Sequence, residues 1–201
     1  MKSARVKSRL SAVLSEEQRI EFSRILLAEL FGVLKEARVL HSSKVVSSDR
    51  EILDYAVKQG ANAFPEDEDA GVNEAVMSVI STFRRNEAAL VLPSDLALLT
   101  PSELGRLLQL KSAGLDVVLA PSRSFNGTNA LLFSSGSNFP LSYDHDSFWN
   151  HLGSCGRLEL SVAVCCERGL MFDVDTPDDL RSLSASRAKR RSVAFARRAL
   201  K

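Results

Sequence analysis

The chain has 201 residues, of which 45% are hydrophobic and 25% are charged. This balance is that of a folded globular domain and excludes disorder over the whole length. The sequence shows neither an apolar run of about 18 residues nor an apolar signal core behind Met1, so we expect no membrane partner and a cytoplasmic location.

The charge is distributed unevenly along the chain. Residues 184–201 contain seven basic residues and no acidic one, so the net charge of +1 leaves −6 on residues 1–183. An acidic body is not typical of nucleic-acid binding, and no nucleic-acid partner is expected. We predict a single domain over residues 1–183 followed by a basic C-terminal tail over residues 184–201.

Helix signals alternate with short strand signals through the first half of the chain. A capping box at Ser15–Gln18 predicts the start of a long helix, and Asp49 can cap a second helix that ends at Gly60. A short strand near residues 61–64 and a helix over about 73–85 follow. The apolar run 88–92 is typical of a strand that is buried on both faces.

The second half has more strands than long helices. A capping box at Thr100–Glu103 opens a helix that should stop near Gly114. Strands are predicted at 116–120, 129–133, 158–165 and 170–174, with short helices at 147–152 and after Thr176. This order predicts an α/β fold with a mainly parallel, doubly wound sheet whose later part is mixed.

Three aspartates lie where such a sheet binds ligands. Asp95 directly follows the predicted strand 88–92, and ligands bind beyond the carboxyl ends of strands in open α/β sheets. In an extended segment, Asp173 and Asp175 point to the same side. Neighbouring carboxylates repel each other unless a cation lies between them, and magnesium prefers oxygen ligands. The combination suggests a magnesium site, whereas a turn aspartate and a helix cap would explain the same residues without a metal.

Two further segments have the side chains that phosphates and nucleobases require. Lys2, Lys7 and Arg9 are basic residues in a loop ahead of a helix, where they could bind phosphates or form a solvated basic N-terminus. Asn73 has both a donor and an acceptor, which suits the edge of a nucleobase but also a helix cap.

A glycine-containing turn precedes one of the predicted strands. Gly127 permits close approach of a ligand to the backbone, and Thr128 offers a hydroxyl and an amide to an anion, although a plain turn would use the same residues. The three histidines, His41, His145 and His151, lack metal-ligand spacing and are interpreted as ordinary loop or surface residues.

Taken together in chain order, these segments resemble the 2-phospho-L-lactate guanylyltransferase family of coenzyme F-420 biosynthesis. The resemblance covers nearly all of residues 2–183. It is carried by Lys7-Ser8-Arg9-Leu10-Ser11, Gly71-Val72-Asn73-Glu74-Ala75, Pro93-Ser94-Asp95-Leu96, Gly127-Thr128-Asn129-Ala130-Leu131 and Phe172-Asp173-Val174-Asp175-Thr176-Pro177-Asp178-Asp179-Leu180.

The resemblance implies a nucleotidyltransferase fold related to glycosyltransferase-A enzymes. It also implies transfer of GMP from GTP to 2-phospho-L-lactate, phosphoenolpyruvate or 3-phospho-D-glycerate, with release of pyrophosphate. By the family pattern, Asp95, Asp173 and Asp175 hold two Mg²⁺ ions as the catalytic centre. Thr128 and Ser147 hold the acceptor acid, Lys2, Lys7 and Arg9 hold GTP phosphates, and the turn containing Asn73 lies at the guanine.

Two departures from the family pattern affect these expectations. Relatives begin with an apolar strand, whereas this chain begins at the basic loop, so we expect either a wrongly assigned start or a missing inner strand that would weaken folding and GTP binding. Asp144 and Asp146 stand where relatives tend to have glycine. A backbone amide at Asp144 could still bind the acceptor, and our hypothesis is that the extra carboxylates alter acceptor choice.

Two other functions remain open from the sequence. The chain could be another nucleotidyltransferase of the same fold, of the molybdopterin or sugar-phosphate type, or a nucleotide-binding protein without catalysis. Besides GTP and the acid, a downstream transferase that takes up a labile product is a further candidate partner. The oligomeric state stays open.

Overall fold

A computed structural model of the chain describes residues 6–66, 71–84 and 87–201. Within these ranges no helix is both long and apolar enough to cross a membrane. The helices are α1 (Glu16–Glu36), α2 (Arg50–Gln59), α3 (Val72–Ile80), α4 (Pro101–Ser112), α5 (Ser147–Arg157), α6 (Arg168–Met171), α7 (Pro177–Ser184) and α8 (Arg191–Ala199). The strands are β1 (Lys44–Ser47), β2 (Asn62–Pro65), β3 (Ala88–Val91), β4 (Val117–Pro121), β5 (Thr128–Ser134) and β6 (Val162–Val164).

The structure contains the capped helix starts that the sequence predicts. At the N-termini of α1 and α4, Ser15 and Thr100 accept from the backbone N–H three residues on, and Gln18 and Glu103 accept from the cap backbone in return. Thr176 and Asp179 form the same reciprocal pair ahead of α7. These caps satisfy N–H groups that have no partner inside the helix, so they fix where each helix begins.

The predicted α/β fold is confirmed, with the strands in two sheets. β1 and β2 form a parallel pair, and the other sheet has the order β3-β5-β4-β6. β4 and β6 are parallel, whereas β5 runs antiparallel to both of its neighbours. The later part of the sheet is therefore mixed. β5 pairs with β3 through residues 131–134 and with β4 through residues 128–132.

Two predicted strands are wrong or too long. Residues 170–174 do not form a strand, because Leu170 belongs to α6 and only Asp173 keeps a single antiparallel bridge, to Leu96. The strand predicted over 158–165 is only β6, since α5 continues to Arg157. Short apolar runs of this length are compatible with a buried helix as well as with a strand, and periodicity alone does not separate them.

The basic segment 184–201 packs against the rest of the chain. Its helix α8 buries Val193, Phe195 and Ala196. Phe195 stacks on Phe22 of α1, with ring centroids 5.0 Å apart. The basic residues lie on the outer face of α8, where Arg198 pairs with Glu21 at 2.9 Å. One face of this segment is therefore part of the hydrophobic core. Its high number of basic residues gives no indication of this burial.

Candidate active site

The three predicted carboxylates are brought together by the loop after β3 and the segment between α6 and α7. The bridge between Leu96 and Asp173 joins the two segments. Val174, between Asp173 and Asp175 in sequence, is fully buried in the core, and this burial fixes the backbone that carries the two aspartates. Asp179 accepts from the backbone N–H groups of Asp175 and Thr176 at 3.1 and 2.8 Å. We call Asp95, Asp173 and Asp175 the carboxylate cluster.

Lys7 lies between two members of the carboxylate cluster. Its Nζ donates to Asp95 Oδ2 at 2.5 Å and to Asp175 Oδ1 at 2.7 Å. The Lys7 backbone is in the left-handed region, with φ 47° and ψ 44°, at the entry to the turn Ser8–Leu10. This conformation is uncommon for a lysine and is stabilised by the surrounding contacts. The basic loop and the carboxylates that the sequence predicts separately thus form one site.

The electrostatics of the site show a shortage of positive charge. Burial raises the pKa of the Asp95 carboxyl, Lys7 opposes this, and the charges of Asp175 and Asp173 raise it further. Burial disfavours the charged form of Lys7 as well, but Asp95 and Asp175 outweigh it and raise the lysine pKa. Lys7 is therefore held as a cation among three acids, and with Arg9 also beside Asp175 the acids still outnumber the cations by one.

The carboxylate cluster has the donor chemistry for a magnesium ion. Carboxylate oxygens are the hard ligands that Mg²⁺ takes, and Asp95 Oδ1 is buried without a partner in the described part of the chain. Over that same part, no three or more histidine, cysteine, aspartate and glutamate side chains are already arranged to hold a metal. Lys7 contacts two oxygens that an ion would use, so the cluster accepts a cation in this structure, and metal binding stays a prediction.

A cavity opens beside the carboxylate cluster. It measures about 400 Å³, and Lys7, Arg9, Ser94 and Asp175 are among its lining residues. Arg9 is 73% exposed and lies 3.7 Å from Asp175, so its guanidinium is free to reach a ligand. Lys2, the third predicted phosphate ligand, lies outside the described residues. The cavity joins cationic side chains to the cluster, as phosphates with a bound divalent cation would require.

β5 links the carboxylate cluster to the residues predicted for the acceptor acid. Asn129 is buried, and its Nδ2 donates to Asp173 Oδ1 at 3.0 Å. The preceding residue, Thr128, donates its backbone N–H to Ser147 Oγ at 2.8 Å. The register of β5 against β4 shifts here, because Ala120 pairs with Ala130 and Pro121 with Thr128, which leaves Asn129 as an extra residue in β5. At this irregularity Asn129 contacts the cluster and Thr128 contacts Ser147.

Asn73 lies with Asp144 rather than with the basic loop. Its Oδ1 accepts from the Tyr143 N–H at 2.8 Å, and its Nδ2 donates to Asp144 Oδ2 at 3.3 Å. It also lines a second, largely apolar cavity of about 290 Å³ that includes Met77 and Phe133. Both polar groups of the amide are thus engaged by the loop ahead of α5, and recognition of guanine by Asn73 stays a prediction.

The interpretation of His151 as an ordinary loop or surface residue is wrong, whereas His41 and His145 are exposed. His151 is fully buried in α5. Its Nδ1 lies 2.9 Å from Thr128 Oγ1, and its Nε2 accepts from the Ser142 N–H at 3.0 Å. The sequence carries one usable signal: His151 follows Ser147 by four residues, so both lie on one face of a helix.

Burial lowers the pKa of His151 from its usual 6.5 to about 4. Between these values the unfolded chain takes up a proton that the folded chain excludes. We therefore expect the free energy of unfolding to fall as the pH falls from 6.5 to 4, by up to about 1.4 kcal/mol per pH unit from this residue. Urea unfolding at several pH values should show a shallower loss for His151→Gln. The control His145→Gln, at an exposed position, should keep the wild-type slope, and equal slopes for all three would contradict the prediction.

The fold matches that of a solved protein from Desulfovibrio desulfuricans G20, which is provisionally named a nucleotide-diphospho-sugar transferase. The TM-score is 0.75 at 16% sequence identity, over 98% of this chain and 90% of that chain. At this identity the likeness concerns the fold alone, and it agrees with the expected nucleotidyltransferase architecture.

Relatives with higher identity bear enzyme names. A protein of Rubrobacter xylanophilus named phosphoenolpyruvate guanylyltransferase is 34% identical over 90% of this chain and 88% of its own length. A protein of Methanocaldococcus infernus named 2-phospho-L-lactate guanylyltransferase is 32% identical over 87% of this chain and 77% of its own length. The family model described as "Guanylyl transferase CofC like" matches residues 1–199. The chain therefore belongs to the guanylyl transferase CofC-like family.

Proposed function

We propose that this chain transfers GMP from GTP to a small phosphorylated C3 acid and releases pyrophosphate, as a step of coenzyme F-420 biosynthesis. The observation that carries the proposal is the linkage through β5. Asn129 contacts Asp173 of the carboxylate cluster, while Thr128 contacts Ser147. The predicted nucleotide site and the predicted acceptor site would therefore adjoin, as transfer between two phosphate compounds requires. The names of the relatives support 2-phospho-L-lactate or phosphoenolpyruvate as the acceptor.

In the proposed reaction, an oxygen of the acceptor phosphate attacks the α-phosphorus of GTP. The bond from that oxygen to the α-phosphorus forms, the bond from the α-phosphorus to the bridging oxygen breaks, and pyrophosphate leaves with the electron pair. A phosphate monoester has a second pKa of about 6 and is a nucleophile at neutral pH, so no general base is needed. The chain supplies position and charge, as in other phosphoryl transfers.

Each part of the site has a role in this scheme. Lys7 and Arg9 offer positive charge to the phosphates of GTP from the wall of the cavity. Asp95, Asp173 and Asp175 would hold two Mg²⁺ ions, which supply charge neutralisation for the attacking and leaving oxygens. Thr128 and Ser147 would orient the acceptor. His151 is buried and bonded at both nitrogens, so it does not act as a base.

Pyrophosphate release tests the proposal. The whole chain is incubated in Mg²⁺ buffer with GTP, CTP or UTP and with each of the three candidate acids. We expect release to require GTP together with one of the acids. Release with CTP or UTP but not with GTP would indicate a different nucleotidyltransferase, and GTP binding without release would indicate a binding protein.

Asp144 and Asp146 allow a separate prediction about acceptor choice. Both side chains are exposed and lie directly ahead of Ser147, and Asp146 is in the left-handed region with φ 55°. Glycine adopts this conformation without strain, so the double variant Asp144→Gly, Asp146→Gly should fold. Removing two negative charges should change the ratio of kcat/KM values among the three acids by about tenfold.

Glu159→Gly is the matched control for this double variant. Glu159 is also an exposed acid in the left-handed region, with φ 53°, but it lies beyond the C-terminal end of α5. Its replacement should leave the ratio unchanged. The same acceptor preference in the double variant and in wild type would contradict a role for Asp144 and Asp146.

A further inference from the structure

His151 connects two of the segments that form the predicted acceptor site. Its ring contacts Thr128 at the start of β5 and Ser142 in the loop ahead of α5, and its own helix carries Ser147. Tyr143 packs edge-on against the ring, with centroids 5.0 Å apart. Thr128 is the residue of the proposed reaction to which the imidazole is hydrogen-bonded, so the role of His151 there is indirect.

The contact with Ser142 determines which ring nitrogen carries the proton. The donor on Ser142 is a backbone N–H, which can only donate, so Nε2 of His151 must be the acceptor. Burial keeps the imidazole neutral. The ring proton therefore resides on Nδ1, and Nδ1–H donates to Thr128 Oγ1 at 2.9 Å.

The donation from His151 fixes how Thr128 can be used. Thr128 Oγ1 already accepts a hydrogen bond, and no side chain or carbonyl of the described residues accepts the hydroxyl hydrogen. The hydroxyl oxygen of Ser147 is likewise occupied as an acceptor, because it accepts from the Thr128 N–H. The two side chains are only 7% and 3% exposed. A buried donor without a partner is unfavourable, so a ligand that supplies acceptor oxygens would be bound preferentially.

We propose that His151 is a positioning residue that orients the Thr128 hydroxyl as a hydrogen-bond donor to an anionic oxygen of the acceptor acid. The inference rests on the proposed function for the presence of an acceptor acid. The bond from Nδ1–H occupies the hydroxyl oxygen and turns its hydrogen toward the ligand. The arrangement favours carboxylate or phosphate oxygens, which only accept, over groups that donate.

Two conservative variants separate the two nitrogens of His151. The amide nitrogen of asparagine lies at the distance from Cβ at which Nδ1 lies, so His151→Asn keeps a donor for Thr128. The amide of glutamine reaches the distance of Nε2, so His151→Gln keeps the partner of Ser142 and loses the donor. We expect His151→Gln to raise KM for the acceptor acid about tenfold with KM for GTP unchanged. His151→Asn should remain within about threefold of wild type.

A double-mutant cycle excludes a merely structural role. In a Thr128→Val background, His151→Gln and His151→Asn should have the same KM for the acid, because the hydroxyl that His151 orients is absent. Equal effects of the two variants in the wild-type background would overturn the proposal. A tenfold difference between them that persists with Thr128→Val would overturn it as well.

Proton-nitrogen correlation NMR on the whole chain tests the tautomer without turnover. We expect His151 at pH 7 to be protonated at Nδ1 alone, and protonation at Nε2 would overturn the inference whatever the activity. If the wild-type chain transfers no GMP, the proposed function fails separately. In that case calorimetry measures the affinity of the wild-type chain and of His151→Gln for phosphoenolpyruvate. About tenfold weaker binding by His151→Gln would support the orienting role of His151, and equal binding would overturn it.

Discussion

Asp173→Asn is expected to lower kcat for GMP transfer by about a thousandfold while the chain remains folded. Asparagine keeps the shape of the side chain and an oxygen for the Asn129 amide, which donates to Asp173 Oδ1 at 3.0 Å. The substitution removes one negative charge from the carboxylate cluster. In the proposed reaction two anions meet, and the cluster would hold the cations that offset their repulsion, so we expect the loss of charge to lower kcat although the shape is kept.

Asp178→Asn is the control for this variant. Asp178 lies five residues further along the chain, is exposed, and pairs with Arg181 within α7 at 2.6 Å. Its replacement should leave kcat within about twofold, because exposed ion pairs contribute little. Initial rates of pyrophosphate release give kcat for both variants, and unchanged circular dichroism spectra show that both remain folded. A kcat for Asp173→Asn within tenfold of wild type would contradict the role of the cluster.

Gly169→Ala is expected to destabilise the chain by roughly 3 kcal/mol. A Cβ at Gly169 would lie 2.5 Å from the Leu98 carbonyl oxygen and 2.8 Å from the Leu99 Cα, and it would also collide with a carboxylate oxygen of Glu103. A shift of the Glu103 carboxylate would break the hydrogen bonds that it accepts from the Gly169 N–H at 2.7 Å and from the Thr100 backbone N–H at 2.8 Å. Backbone atoms would have to shift, and they lead directly into the segments that hold Asp95 and Asp173.

Gly105→Ala provides the matched control for Gly169→Ala. Gly105 lies inside α4, and a Cβ there would meet no atom within 4 Å. Alanine should therefore stabilise the chain by about 0.5–1 kcal/mol through its helix propensity. Urea unfolding of the two variants gives the comparison. A loss below about 1 kcal/mol in Gly169→Ala would show that α6 can move away from Leu98.

Local signals in the sequence were sufficient for the capped helix starts and for the strands near residues 61–64 and 88–92. Reciprocal caps at Ser15, Thr100 and Thr176 involve residues three positions apart, so the sequence contains both partners. The prediction of a strand over residues 170–174 is wrong, because the apolar residues around Leu170 are buried by tertiary packing that the local pattern does not encode.

The sequence predicts the residue types of the candidate site but not the contacts between them. Lys7 and Asp95 are 88 residues apart in sequence, and no local rule indicates that the lysine lies between Asp95 and Asp175. Asn129 and His151 were not assigned roles for the same reason. Each acts through one residue of another segment, and such contacts exist only after the strands and helices have packed.

Phosphorus NMR of a single reaction tests the central claim most directly. The whole chain is mixed with GTP, Mg²⁺ and phosphoenolpyruvate, 2-phospho-L-lactate or 3-phospho-D-glycerate in turn. Transfer of GMP predicts two coupled resonances of a new diphosphate linkage, together with an equal amount of free pyrophosphate, for at least one acid. Unchanged GTP with all three acids, or conversion of GTP to GDP and orthophosphate, would contradict the proposed guanylyl transfer.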